Sequence, residues 1–281
     1  MSFLDRIAAC NNHHPAQFRP FIVAGRQVGL VNHAFAARLE AFPSAFDVDP
    51  EAVTLAAGLT TFEDRSAAMA DVLHDLAGQG VIKGWRDELF PVVNGFGHTP
   101  LMQIERAAVP LFGVRAFGVF VNGYVRNGGD LKLWIARRSK TKPSWPGMLD
   151  IFVGGGQPIG IGLMDNLIKE TAEEANVPAA LARQARPVGA ISYRMNIDGG
   201  FRPDTEFVFD LELPADFVPR NTDGEIEDFY LWSVERVMET VRDTGDFKPN
   251  CNLALIDFFI RHGLLTPDEP DYLEILSGLR Q

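Results

Sequence analysis

A chain of 281 residues with 46% hydrophobic and 22% charged residues can bury a substantial core, as one large domain or two smaller ones. Its net charge of -11 excludes a broad phosphate-neutralising surface, so we expect no nucleic acid polymer as a partner. The two cysteines, Cys10 and Cys251, form no C-x-x-C pair, and no apolar run has membrane-spanning length. The first residues do not resemble a signal peptide, so we expect a cytoplasmic protein outside the membrane.

The first part of the chain, residues 1–105, combines strand and helix patterns. Phe18–Val23 and residues 27–31 read as two strands joined by a short turn. A helix is predicted over residues 34–41, where Asn32 can cap its start, and a longer one over residues 63–77. These features predict a small α+β domain without a catalytic motif. Two roles fit this domain: it can determine substrate specificity, or it can mediate assembly through a homodimer contact.

The second part, residues 106–281, begins with a strong hairpin pattern. Two apolar strands, residues 117–125 and 131–136, flank Asn127-Gly128-Gly129-Asp130, whose glycines favour a tight turn. Further strands and helices alternate to the end of the chain. This order predicts a mixed sheet covered by helices on both faces. The remaining predicted strands are residues 150–153, 188–194, 205–213 and 228–232, and the predicted helices are residues 163–175, 234–241, 253–262 and 271–279.

A run of glycines leads into the most informative helix. Residues 154–156 are all glycine, and the helix is expected to begin near Leu163. Asn176 tolerates the left-handed conformation that commonly ends a helix, and Pro178 prevents continuation.

This helix carries three carboxylates on one face. At about 100° per residue, Glu170, Glu173 and Glu174 lie within roughly 100° of one another. Each like-charged pair at this spacing costs a helix about 0.2–0.5 kcal/mol. Such triplets are common on solvated helix faces, which is the plain alternative. The glycine run favours instead a site for a hard divalent cation, and Mg²⁺ prefers such oxygen ligands. The opposite side, expected to pack on the sheet, carries Met164, Ile168, Ala172 and Ala175.

The pattern resembles the Nudix box, in which a glycine and a glutamate are followed at fixed spacing by Arg-Glu-apolar-x-Glu-Glu-x-Gly. Gly155 stands at the position of the first glycine. Glu170, Glu173 and Glu174 match the metal-binding carboxylates. The box is incomplete at four positions: Ile161 replaces its first glutamate, Lys169 its arginine and Asn176 its last glycine, and Thr171 is less apolar than usual.

Residues 145–150 and 223–232 resemble one Nudix subgroup, described as thiamine pyrophosphokinase-related, that carries an extra N-terminal domain. The resemblance implies a Nudix α/β/α sandwich with a mixed sheet over residues 106–281, after a small α+β domain over residues 1–105. It also implies hydrolysis of a diphosphate linkage in a small organic diphosphate. Characterised members of the subgroup resemble hydrolases of damaged thiamine diphosphates, so a thiamine-diphosphate-like compound is one expected substrate.

The resemblance also assigns roles to individual residues. Glu170, Glu173 and Glu174 are expected to hold Mg²⁺, with Mn²⁺ as a second suitable ion. The general base that activates water is expected to be Glu174, Glu225 or Glu227, and the last two read equally well as parts of a solvated acidic turn.

Four further residues are expected to bind substrate. Arg137 and Arg138 end a strand next to the expected site, where a guanidinium can bind phosphate. An ordinary exposed strand end explains the two arginines equally well. Gly155 and Gly156 complete the substrate-binding set.

Two other functions compete with hydrolysis. An isopentenyl-diphosphate-type isomerase on the same fold uses a cysteine in the site domain before the box, and Cys10 and Cys251 are poorly placed for it. A non-catalytic ligand-binding module is favoured by the loss of a carboxylate at Ile161. The three remaining carboxylates argue against that module.

Overall fold

The computed structural model describes residues 2–281, and its first helix, α1 (Phe3–Cys10), begins at a reciprocal cap. The Ser2 hydroxyl accepts a hydrogen bond from the Asp5 amide, and the Asp5 carboxylate accepts one from the Ser2 amide. This capping box satisfies two amides that a helix start leaves unpaired. The buried side chains of α1, including Phe3 and Ile7, belong to a core formed mainly by the C-terminal half of the chain.

A four-stranded sheet and two helices follow α1. Strand β1 pairs antiparallel with β2 and parallel with β4, in the order β2-β1-β4-β3. The predicted hairpin and both predicted helices are present. Asn32 caps α2, since its side chain accepts from the Phe35 amide. The elements are β1 (Phe18–Val23), β2 (Arg26–Asn32), α2 (His33–Leu39), β3 (Phe46–Val48), β4 (Val53–Leu55), α3 (Phe62–Gly78), β5 (Leu89–Val92) and β6 (Met102–Glu105).

One hydrophobic core serves this first group of elements. Its buried side chains run from Phe21 to Ala116 and include Phe112 at its centre. A short helix, α4 (Val109–Phe112), therefore belongs to this core although it follows residue 105. The division of the chain between residues 105 and 106 stays a prediction.

The central sheet has the order β11-β14-β7-β8-β15, with β10 also paired to β7 and β9 to β8. Strand β14 is parallel to β7, and the other pairings are antiparallel, so the predicted mixed sheet is confirmed. The hairpin turn contains Gly128, whose φ of 59° needs glycine's freedom. The strands are β7 (Phe117–Asn127), β8 (Asp130–Arg138), β9 (Leu149–Asp150), β10 (Val153–Gly156), β11 (Arg186–Ser192), β12 (Met195–Ile197), β13 (Gly200–Arg202), β14 (Thr205–Glu212) and β15 (Ile226–Ser233).

Helices cover both faces of this sheet. Alternate residues of β7 point to opposite sides. Val119 and Val121 join the core under α5, whereas Phe120 and Tyr124 join the core that contains α1 and α8. The α/β/α arrangement predicted for this part is confirmed. Among residues 2–281, no helix has both the length and the hydropathy needed to cross a bilayer. The helices are α5 (Leu163–Ala175), α6 (Ala179–Ala182), α7 (Val234–Asp243), α8 (Pro249–Arg261) and α9 (Tyr272–Gly278).

The glycine run differs from its prediction. Residues 154–156 were expected to lead into the helix as a loop after a strand, but they form most of β10. Gly155 pairs with Val119, and Gly156 pairs with Gly118. Glycine disfavours strands unless another group approaches the backbone closely. Such groups lie on both sides of β10, and they belong to the candidate active site.

Candidate active site

The carboxylate helix, α5, has the predicted limits. It starts after Gly162 and ends at Asn176, which adopts φ 53° and ψ 38°. This left-handed cap is the conformation for which the box normally uses glycine. Thr171 is fully buried, and its hydroxyl donates to the Leu167 carbonyl at 2.8 Å. A polar residue is therefore tolerated at an apolar position of the box, because a backbone carbonyl of the helix accepts the hydrogen bond of its hydroxyl.

The three glutamates differ in burial. Glu170 and Glu174 are buried, whereas the Glu173 side chain is about half exposed. The helix turns Leu167, Thr171 and Ala175 inward, so two of the carboxylates lie beside the apolar stripe. The expectation that Ala172 packs on the sheet is wrong, since that residue is exposed. A purely solvated face is therefore not the environment of these carboxylates.

Burial changes the proton affinity of the inner carboxylates. Burial raises the pKa of Glu170, against a smaller opposing effect of Lys169. Burial also raises the pKa of Glu174, and the nearby charges of Asp150 and Glu170 add to that shift. The Gly154 amide donates to Glu174 Oε2 at 3.2 Å. Burial thus disfavours the charged form of both carboxyls, and a bound cation would stabilise that form.

Two lysines lie beside the carboxylates. Lys169 Nζ is 3.0 Å from Glu170 Oε1 and 2.9 Å from Glu173 Oε2. Lys142 contacts the Glu225 carboxylate, and burial lowers the pKa of Lys142 although the charge of Glu174 opposes that shift. Across residues 2–281, no three His, Cys, Asp or Glu side chains are already arranged to hold a metal. The oxygen-only donor set of α5 nevertheless fits a hard divalent cation.

The two acidic residues near the end of the chain take different positions. Glu225 lies in a loop that packs on the end of α5, where Thr222 donates to the Glu173 carbonyl. Its carboxylate contacts Lys142 and lies 3.9 Å from Arg86 Nη1. Glu227 is exposed at a bulge in β15, and it pairs with exposed Lys140 at 3.4 Å. Of the two, Glu225 is the one connected to the surroundings of Glu174.

Arg137 and Arg138 leave β8 on opposite faces, because side chains alternate along a strand. Arg137 donates to the Tyr230 hydroxyl and to the Gly147 carbonyl. Arg138 is buried, and its guanidinium donates to Asp150 and to the carbonyls of Ser144 and Trp145. Both guanidiniums are occupied by the protein itself. Arg138 in particular ties residues 144 and 145 to the strand.

The glycines of β10 allow close approach from two sides. A Cβ atom on Gly155 would lie 2.3 Å from Glu170 Cγ, and one on Gly156 would lie 2.5 Å from Phe90 Cζ. Gly155 therefore makes room for a carboxylate of α5. Gly156 makes room for an aromatic ring from the first part of the chain.

A cavity of about 520 Å³ adjoins β10. The first part of the chain contributes Lys83, Arg86 and Phe90 to its wall, and Arg106 follows directly after that part. The remainder comes from the central sheet and from the segments that flank it. Gly155 lines the cavity and Glu170 lies against Gly155, so the cavity and the carboxylate helix adjoin at β10. The cavity is also lined by Trp145, Arg202, Asp204, Glu206, Lys248 and Asn250.

Several residues of this site carry no sequence motif and were not predicted: Arg202, Asp204, Glu206, Lys248 and Asn250 of the cavity, Arg106 at its wall, and Lys142 beside Glu225. Lys142 and Arg106 lie in segments without a motif, and only folding brings them near α5. Glu206 gave one usable signal, since it is a charged residue at a buried position of the predicted strand over residues 205–213. Charged residues are rarely buried unless they have partners or a function.

Comparison with known proteins identifies the family. "Nudix hydrolase 20, chloroplastic" from Arabidopsis thaliana is 41% identical over 99% of this chain and 77% of its own length. "Nudix hydrolase 24, chloroplastic" from the same plant is 42% identical with the same coverage. The chain belongs to the Nudix hydrolase family. This Nudix hydrolase also matches, over residues 2–116, a family described as a domain of unknown function, DUF4743.

Solved structures give a weaker similarity. The Deinococcus radiodurans protein DR0079 is 27% identical, with a TM-score of 0.40 over 53% of this chain and 86% of its own. The Nudix domain of Shewanella oneidensis NrtR, solved with ADP ribose, is 14% identical, with a TM-score of 0.41 over 55% of this chain and 91% of its own.

Two expectations from the sequence are settled by these findings. The cytoplasmic location is wrong, because both plant relatives are named as chloroplastic proteins. The isomerase alternative is not favoured, since the relatives are named as hydrolases. Cys10 and Cys251 are also fully buried, and burial raises the pKa of both thiols. Neither thiol is therefore suited to act as an acid or nucleophile on a substrate.

Proposed function

We propose that this Nudix hydrolase cleaves the diphosphate linkage of a small organic diphosphate with the help of a divalent metal ion. The observation that carries the proposal is the pair of buried carboxylates, Glu170 and Glu174, beside a cavity of about 520 Å³. Buried acids with too little neighbouring positive charge are costly to keep in a fold unless they serve a ligand. A divalent cation supplies the positive charge that these acids lack, and it would in turn attract a phosphorylated substrate.

Glu170, Glu173 and Glu174 are the residues that would hold the ion, with Mg²⁺ preferred and Mn²⁺ also suited to oxygen ligands. When bound, the ion neutralises charge on phosphate oxygens and acidifies a water molecule. Lys169 already lies between Glu170 and Glu173, so it would balance the remaining charge of the helix.

Two further groups of residues complete the proposed chemistry. Arg106 and Arg86 line the cavity and lie near the carboxylates, so they are suited to bind phosphate. Glu174 or Glu225 would accept the proton of the attacking water. Glu225 is favoured over Glu227 because it contacts Lys142, whose side chain is only 12% exposed, whereas Glu227 pairs with an exposed lysine. Arg138 would act indirectly, by positioning Trp145.

The substrate class follows from the cavity and from the resemblance of residues 145–150 and 223–232 to the thiamine pyrophosphokinase-related subgroup. A thiamine-diphosphate-like compound is our first candidate. The NrtR Nudix domain solved with ADP ribose supports a second, nucleotide-like candidate. Both combine a diphosphate with a ring, and a cavity of about 520 Å³ is ample for a ring.

The test is an assay of a panel of thiamine-type, nucleoside and sugar diphosphates with Mg²⁺. Turnover is measured as the release of phosphate or monophosphate. Glu174→Gln keeps the size of the side chain and removes its charge, so we expect turnover to fall at least ~100-fold. Glu235→Gln, on an exposed position of α7, is the matched control and should keep wild-type turnover. Full turnover of Glu174→Gln, or no metal-dependent product from any diphosphate, would contradict the proposal.

A further inference from the structure

A second cavity, of about 350 Å³, lies where the two parts of the chain meet. Strand β2 of the first part lines it on one side, and Arg194, Phe201 and Pro203 line it on the other. Gly113 and Arg115, which lie between α4 and β7, complete its wall. Among residues 2–281, those that line this rear cavity include none from the carboxylate helix.

A short segment separates the rear cavity from the cavity beside β10. Phe201 and Pro203 line the rear cavity, whereas Arg202 and Asp204 line the other one. Alternate residues of the segment 201–204 thus belong to different cavities. A ligand in the rear cavity would therefore not occupy the space proposed for the substrate.

The rear cavity is positively charged. Arg115 and Arg194 are both exposed, and neither guanidinium has an ion pair or a hydrogen bond with any of residues 2–281. None of the residues that line the cavity is acidic, although the whole chain has a net charge of -11. Two cations that meet in one cavity without an acid favour an anion as its ligand.

Two neutral donors accompany the arginines. Gln27 and Asn94 line the same cavity, and within the part of the chain that the structure describes their side-chain amides form no hydrogen bond. A guanidinium matches the oxygens of a phosphate or a carboxylate, and an amide can donate to either. A phosphate monoester carries about -1.5 to -2 charges at neutral pH, so it balances two arginines better than a single carboxylate does.

The base of the rear cavity is held by two glycines. A Cβ atom on Gly29 would lie 2.3 Å from the Phe112 carbonyl oxygen, and one on Gly113 would lie 2.2 Å from that of Leu30. Gly113 also has φ 53°, a conformation that favours glycine. The backbones of β2 and of the end of α4 are therefore in direct contact. This contact fixes the backbone from which Arg115 extends, two residues after Gly113.

The remaining wall can contact an organic group. Leu30, Pro203 and His13 line the cavity and are each partly exposed. The His13 ring packs on Phe201 with centroids 4.2 Å apart, and its Nδ1 lies 3.2 Å from Asn196 Oδ1. A water molecule takes up about 30 Å³ of the liquid, so a phosphate group alone would leave much of the 350 Å³ unfilled.

We propose that the rear cavity is a second ligand site, which binds a small phosphate monoester. Arg115 and Arg194 bind its phosphate, and its apolar organic group lies against Leu30, Pro203 and His13. The inference does not depend on diphosphate hydrolysis, because this cavity contains none of the residues proposed to hold the metal or to activate water.

The first experiment measures binding of phenyl phosphate to the full chain by isothermal titration in EDTA at low salt. Without a metal ion, the carboxylates of α5 disfavour a phosphate in the cavity beside β10. Arg115→Gln, and independently Arg194→Gln, should weaken binding at least ~10-fold, because each removes charge-assisted hydrogen bonds. Two controls should stay within about twofold of the wild type. They are Arg183→Gln, at the exposed end of α6, and Arg106→Gln, in the cavity beside β10.

Two further probes test the two halves of the ligand. Inorganic phosphate lacks the organic group and should bind at least ~5-fold more weakly than phenyl phosphate. Benzoate keeps the ring but has a single charge, and it should also bind at least ~5-fold more weakly. Inorganic phosphate that binds as tightly as phenyl phosphate would overturn the organic half, and benzoate that does so would overturn the phosphate half.

Thermal unfolding checks that the variants fold. Both arginines are exposed and unpaired, so their substitution should leave the unfolding temperature unchanged. Phenyl phosphate should raise that temperature for the wild type and the two controls, but not for Arg115→Gln or Arg194→Gln.

Three results would overturn the proposal. They are no binding by the wild type, wild-type affinity in either Arg115→Gln or Arg194→Gln, and a loss in Arg106→Gln that equals theirs. The last result would locate the ligand beside β10 instead. If the wild type hydrolyses no diphosphate, the proposed function fails, and these binding measurements still decide the inference.

Discussion

At the scale of single residues, the site depends on atoms that are absent as much as on side chains that are present. Gly155 has no Cβ, and Glu170 fills the space that a Cβ would take. Gly118 has none, and a carboxylate oxygen of Glu206 lies there. Successive residues of a β-strand face opposite sides of the sheet. Gly155 of β10 therefore makes room for Glu170, and Gly118 of the neighbouring β7 makes room for Glu206.

Gly155→Ala tests this close approach. The added methyl would lie 2.3 Å from Glu170 Cγ, so the carboxylate must move away from its place in the metal-binding set. We expect Mg²⁺ affinity to fall about 10–100-fold, the range found when the support of a metal ligand is disturbed. Isothermal titration of Mg²⁺ measures it. Gly58→Ala adds a methyl with nothing within 4 Å and should bind the ion normally. An unchanged affinity in Gly155→Ala would show that Glu170 is not a ligand.

At the scale of elements, α5 is fixed by its two ends. Gly162 starts the helix in an extended conformation, and Asn176 ends it in a left-handed one. The Asn176 amide donates back to the Ala172 carbonyl, which closes the last turn. The loop that carries Glu225 then packs against this end of the helix, through Arg220 and Thr222.

Substitutions of Asn176 should separate backbone conformation from side-chain chemistry. Alanine tolerates the left-handed region poorly, so Asn176→Ala should lower the free energy of unfolding by about 1–2 kcal/mol. Asn176→Gly should stay within about 0.5 kcal/mol of the wild type, since glycine enters this region freely. Urea unfolding measures both. If alanine and glycine had equal effects, the left-handed cap would not be what limits this helix end.

The elements that local signals specify were predictable from the sequence. The β7–β8 hairpin and α5 have turn residues, caps and periodicity of their own. Helix α1 was missed, although its Ser2–Asp5 capping box is a readable signal, because the helix has only eight residues. The polar cluster around Glu206 was beyond prediction for a different reason. Asn250 and Tyr193 meet Glu206 only through pairing of strands and packing of a distant helix.

At the scale of the whole molecule, the first and last helices share one core. Ile7 of α1 packs against Gly278 of α9, and the Phe3 ring lies tilted against Phe259 of α8 with ring centroids 6.1 Å apart. The elements between them include the complete first core. The stability of the catalytic half therefore depends on residues at the opposite end of the chain.

Ile7→Ala should consequently destabilise the catalytic half. Ile7 is only 3% exposed, and removal of a buried side chain of this size costs about 2–5 kcal/mol. The free energy of unfolding is measured in guanidinium, with tryptophan fluorescence as the signal. This signal reports on the catalytic half because Trp134, Trp145 and Trp232 all lie there. Val218→Ala, at a position that is 66% exposed, should cost less than about 0.5 kcal/mol. A similarly small cost for Ile7→Ala would show that α1 is dispensable.

The contact between α1 and α9 has a consequence for how this protein is made. Asn11 donates to the Gly278 carbonyl across a separation of 267 residues. On a ribosome that adds about 5–20 residues each second, α1 emerges tens of seconds before its partner helices. The core that spans Phe21 to Ala116 can form during that interval. The catalytic half cannot close before α9 has emerged, so its apolar faces are the surfaces that a chaperone would need to cover until then.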